Sequence, residues 1–117
     1  MNFTINNREW KIIETDQNKM NEVEKTTEET GYKYFGICCY EEQTIYLWKE
    51  LHQEQKKATL IHELVHCYMG CYCSFEDVTW NTDLVCNICA NSHDIIHEIV
   101  DKYFNQKKEL VYGVDYV

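Results

Sequence analysis

Proline is absent from this 117-residue chain, and glycine occurs only four times. With so little of either there is no linker-like stretch and nothing that marks a domain boundary. A chain of this length supports one hydrophobic core, so residues 1–117 are expected to form a single domain. Basic residues are also in short supply: 11 Lys and Arg stand against 20 Asp and Glu, for a net charge of −9. That balance argues against a phosphate-binding surface, which needs clustered cations, so no nucleic-acid partner is expected. Lys56-Lys57 and Lys107-Lys108 are too short to reverse it. No apolar run approaches the roughly 20 residues that cross a bilayer, and no repeat or low-complexity tract is present. The opening MNFTINNREWKII lacks the basic start and apolar run of an export signal, so a cytoplasmic protein is expected.

Cysteine is plentiful by contrast: Cys38, Cys39, Cys67, Cys71, Cys73, Cys86 and Cys89. Their odd number and the missing export signal argue against a disulfide framework. Cys71-Tyr72-Cys73 with Cys86-Asn87-Ile88-Cys89 could be weighed as a zinc ribbon. C-x-C is a poor half-site, however, and Cys86 and Cys89 fall inside a helical pattern. The cysteines are expected to act as small buried hydrophobes.

The most informative segment is His62-Glu63-Leu64-Val65-His66, inside QKKATLIHELVHCYMG from Gln55 to Gly70. Leu60, Ile61, Leu64, Val65 and Tyr68 form a wide apolar helical stripe, and Gly70 fits a helix stop. Residues four apart share a helix face, so His62 and His66 can hold one metal ion, and Glu63 projects beside it to take a proton from a water. Ligand, base and ligand thus come from one turn. Around this helix, Trp10–Glu14 reads as a strand preceded by a turn at Asn6-Asn7. Met20 and Val23 mark a short helix in 16–30, ended by Gly31. Tyr34–Tyr40 and Thr44–Trp48 read as a hairpin. Residues 82–104 read as a long amphipathic helix capped by Asn81 or Thr82, and Leu110–Val117 as a docked strand.

A catalytic zinc needs a third protein ligand and an open position. The metzincin pattern would need Gly at position 69 and His at 72; the chain has Met69 and Tyr72. The remaining candidates are Glu76, Asp77, Asp83, Asp94 and Glu98, of which Asp83 is favoured. It opens the second long helix, and small neighbours on its face (Cys86, Ala90) allow close approach to the first. Asn87, one turn on, could accept the ring N–H of a ligand His. His97, Tyr72, Tyr112 and Tyr116 are candidate donors to a developing oxyanion.

In that order, Trp10–Glu14, Gly31-Tyr32, Ile45-Tyr46-Leu47, Thr59–His66 and Asp83-Leu84-Val85-Cys86 resemble the minimal gluzincin-type metallopeptidases of phages and mobile elements, related to the ImmA/IrrE peptidases that cleave repressors. The resemblance covers roughly residues 10–104, and its specific part is the H-E-x-x-H block. It implies an α+β, zincin-like domain: a three-stranded antiparallel-type sheet packed on the active-site helix, with a second long helix supplying the last ligand. It also implies that the strand before the active-site helix, here Thr44, Ile45, Tyr46 and Leu47, is the edge on which substrate is laid. Asp83 stands where that family usually has Glu.

The expected activity is hydrolysis of peptide bonds in one or a few protein partners, with Zn²⁺ on His62, His66 and Asp83 and with Glu63 as the base. The competing expectation is a non-catalytic acidic zinc protein that binds a partner's basic surface and inhibits it. Glu63 favours catalysis, because a structural site needs no base.

Overall fold

Asn6 and Asn7 both adopt left-handed backbone, with φ of 50° and 61°. A two-residue type I′ turn requires that conformation, and here it joins β1 (Asn2–Ile5) to β2 (Arg8–Thr15) in register, Ile5 opposite Arg8 and Phe3 opposite Trp10. The alternation is strict: Phe3, Ile5, Trp10 and Ile12 are buried while Asn2, Thr4, Glu9 and Lys11 face solvent. The computed structural model describes residues 1–25, 33–72 and 92–105. Among them lie two further strands, β3 (Gly36–Cys39) and β4 (Thr44–Trp48), and three helices, α1 (Gln17–Glu24), α2 (Gln53–Tyr72) and α3 (92–105).

The class is α+β, but the sheet is not the expected three-stranded antiparallel one. It has four strands in the order β1-β2-β4-β3, and β2 and β4 run parallel. The extra strand is β1. A second correction follows from the order. β4 is an interior strand, paired with β2 on one side and β3 on the other, so Thr44, Ile45, Tyr46 and Leu47 cannot be a substrate edge. Its residues are buried on both faces, which explains an apolar run without a polar face.

The sheet is covered on both sides. Ile45 and Leu47 join Phe3, Ile5, Trp10 and Ile12 beneath α2 and α3, which contribute Leu60, Leu64, Cys67, Ile96, Val100 and Tyr103. On the other face Tyr46 and Ile37 pack against Met20 of α1. Asp16 caps α1 by accepting a hydrogen bond from the Lys19 backbone N–H at 2.9 Å, and Lys25 ends it in the left-handed region. Gly31 lies outside the described residues.

α2 runs two residues past Gly70, so that glycine is not the expected stop. A Cβ at Gly70 would lie 2.1 Å from Cε1 of Tyr40. The glycine is there to admit an aromatic ring, not to end a helix. Cys67 and Cys71 are buried on α2, Cys38 packs against the same core, and all four described cysteines are free thiols. Cys73, Cys86 and Cys89 lie outside the described residues, as does the expected strand at Leu110–Val117. Among the described residues no helix is long and apolar enough to cross a membrane.

Candidate metal centre

α2 is fixed to the sheet along one side, and that fixes where its polar side points. Leu60, Leu64, Cys67 and Cys71 are buried at the spacing of one helix face. At its start Lys56 is buried and reaches Glu14 of β2 at 2.6 Å, and Glu14 also accepts a hydrogen bond from Tyr103 of α3. Toward its end the Tyr40 hydroxyl donates to the His66 carbonyl at 2.5 Å, and Asn6 of the β1–β2 turn donates to the Cys71 carbonyl at 2.8 Å. These contacts come from three different parts of the chain and leave α2 little freedom to rotate.

Held in this way, α2 brings His62, Glu63 and His66 together. They are the one group among the described residues in which three potential ligand atoms lie within 4.8 Å of one another. His62 is exposed and His66 half-buried, and their Nε2 atoms are 3.2 Å apart. Two imidazoles on a tetrahedral zinc, each about 2.0–2.1 Å from the ion, stand roughly 3.3 Å apart, so the pair fits that metal. The same spacing suits an N–H···N bond between the rings when no ion is bound. Burial, with His62 as a second cause, lowers the pKa of His66 and favours the neutral ring that can ligate.

Glu63 is different in kind. It is buried, its Oε1 is 3.9 Å from Nε2 of His62, and its Oε2 has no hydrogen-bond partner among the described residues. Burial, and then the charge of Glu24, push its pKa up to about 7. A carboxyl group titrating near neutrality can both take and return a proton.

Gly36 of β3 lies directly over this carboxylate. A Cβ there would be 2.6 Å from Thr59 Cγ2 and 2.9 Å from Glu63 Cγ. The strand can therefore approach α2 this closely only because the residue has no side chain. Beside it a cleft of about 500 Å³ opens onto His62 and Glu63, walled by Lys33, Tyr34 and Phe35 on one side and Gln55, Ala58 and Thr59 on the other. Gly36 and this wall are not among the site residues expected from the sequence. A glycine inside an aromatic and β-branched run was the available signal of a close approach.

The other expected site residues fall elsewhere. Asp83 and Asn87 lie outside the described residues, as do Glu76, Asp77, Tyr112 and Tyr116. Asp94 is exposed beside His93 on α3, and Glu98 pairs with Lys102 at 3.0 Å; neither joins the His62–His66 group. Tyr72 stacks on Tyr68 at the end of α2. Nine residues from Glu63, it is turned about half a revolution away at 100° per residue, which removes it as an oxyanion donor. His97 is exposed on α3 with its ring against His93. Comparison with protein-family models, curated proteins and solved structures returned no match to this chain.

Proposed function

We propose that this chain is a zinc-dependent hydrolase of peptide bonds, of the minimal zincin-like type its H-E-x-x-H segment resembles. The reading rests on one conjunction: two imidazole nitrogens 3.2 Å apart on α2, next to a buried carboxylate with an oxygen that has no partner among the described residues. A structural metal site has no use for that carboxylate, whereas a hydrolytic site requires a base there. His62 and His66 would hold the ion, with Asp83 proposed as the third protein ligand and Asn87 as the acceptor of a ligand histidine's ring N–H. Bound zinc supplies Lewis acidity and makes a water acidic enough to lose a proton near neutral pH. Glu63 receives that proton and passes it to the departing amine.

Among the described residues the open edge for an extended peptide is β3 rather than β4. Trp48 donates its backbone N–H to the Phe35 carbonyl at 2.9 Å. In an antiparallel ladder the pairing alternates, so Ile37 and Cys39 also face β4, while Gly36 and Cys38 turn their N–H and C=O groups outward. A peptide added there would pass over Glu63, with one side chain directed to the adjoining cleft. Recognition by a single edge and a single cleft favours one or a few protein partners over general proteolysis.

The test is incubation of zinc-loaded protein with a defined peptide mixture, with new termini read by mass spectrometry. Wild type is expected to generate new termini, and Glu63→Gln to lose at least about 100-fold in rate while keeping its zinc. A partner bound and inhibited equally by both proteins, with no cleavage by either, overturns the hydrolase reading in favour of an acidic binding protein.

A further inference from the structure

Four of the five histidines in the chain fall into two pairs spaced four residues apart, His62 with His66 and His93 with His97; only His52 stands alone. Apart from His97 as a candidate oxyanion donor, the second pair has no part in the hydrolytic reading. Its rings lie 4.3 Å apart between centroids, closer than the 4.9 Å of the first pair. Both residues are exposed on α3, away from the buried face made by Ile96, Ile99, Val100 and Tyr103. His93 has its Nδ1 3.4 Å from Oδ1 of Asp94. A carboxylate facing Nδ1 favours the tautomer with the proton on that nitrogen, which leaves the Nε2 lone pair free; metal-binding imidazoles are commonly oriented in this way.

We infer that His93 and His97 form a second divalent-metal site, a two-imidazole chelate closing one turn of α3. Two protein ligands bind more weakly than three, so this site fills only after the first. Neutral imidazole suits zinc, nickel and copper and not the oxygen-seeking calcium or magnesium. Affinity should follow the order copper above nickel, with zinc also below copper. The remaining coordination positions open to solvent, where water or a donor from another molecule can complete them.

The experiment is calorimetric titration of the full chain carrying His62→Ala and His66→Ala with copper(II), nickel(II), zinc and magnesium, each separately. One copper, nickel or zinc per chain is expected, with no magnesium binding, and a further His93→Ala or His97→Ala change should weaken nickel binding at least tenfold. Failure to bind any of the three ions, or binding unchanged by both substitutions, overturns the inference. Because the double variant could fold poorly, a parallel measurement uses wild type carrying one equivalent of zinc, which occupies the stronger site first. One further equivalent of metal, added as copper(II), should selectively broaden the ring-proton signals of His93 and His97. Uniform broadening, or none at these two rings, overturns the inference equally.

Discussion

Glu63 costs the metal-free protein stability. Its carboxyl group titrates at about 4.5 in an exposed chain and is pushed up to about 7 by burial. Between those values the folded state binds more protons than the unfolded state, so stability falls as pH rises through that window and then levels off. At about 1.4 kcal/mol per unit, the loss is on the order of 3 kcal/mol. Glu63→Gln removes the ionising group, so the metal-free variant should be more stable than wild type at pH 8 and nearly equal at pH 4. Urea unfolding at the two pH values measures this, and an equal difference at both would count against it. Gly36 acts on the same carboxylate by shape. Gly36→Ala places a methyl group 2.9 Å from Glu63 Cγ and must shift it. Hydrolysis should fall by about 100-fold, as displacements near 1 Å can cause, while zinc content stays at the wild-type value. Unchanged rates in a kinetic assay would show that the contact is slack.

At the level of elements, the end of α2 gives two principles opposite signs. By helix propensity, Gly70→Ala should stabilise by about 1 kcal/mol. By packing it should destabilise by about 1–3 kcal/mol, because the new Cβ meets Tyr40 at 2.1 Å. Packing is expected to win, and the sign should reverse in a Tyr40→Ala background; chemical denaturation of the four proteins decides. This glycine also shows what sequence could and could not convey. The hairpin from Tyr34 to Trp48 and the helix around His62 were legible, because aromatic and β-branched runs and a 3.6-residue stripe are local patterns. So was the Asn6-Asn7 turn. β1 was missed because four residues, NFTI, alternate visibly only beside their partner β2. Gly70 was misread because its reason is Tyr40, thirty residues away. The resemblance implied β4 as the substrate edge, and the local pattern could not correct it, because edge position belongs to sheet order and the parallel β2–β4 pairing joins strands separated by α1 and β3. His62, Glu63 and His66 needed no tertiary information to be found, since one helical turn already sets their spacing.

Across the whole molecule, Glu14 ties three elements together: its strand β2, Lys56 of α2 and Tyr103 of α3. Removing one member of a buried ion pair leaves the other charge stranded, at a cost of about 3–5 kcal/mol, whereas replacing the set by apolar residues can be nearly neutral. Glu14→Leu alone should therefore lower the denaturation midpoint sharply, and Lys56→Met with Tyr103→Phe added should recover most of the loss. If the triple variant is no better than the single one, the network stabilises by more than mutual neutralisation.

The central claim is that His62 and His66 hold a zinc ion while Glu63 serves it without holding it. Zinc retention against a competing chelator, strong enough to strip any weaker site on α3, tests that claim most directly. Wild type and Glu63→Gln should each keep one ion per chain, and His62→Ala and His66→Ala should keep none. Loss of zinc from Glu63→Gln to the same extent as from the histidine variants would make Glu63 a ligand and contradict the account, as would zinc that survives both histidine substitutions.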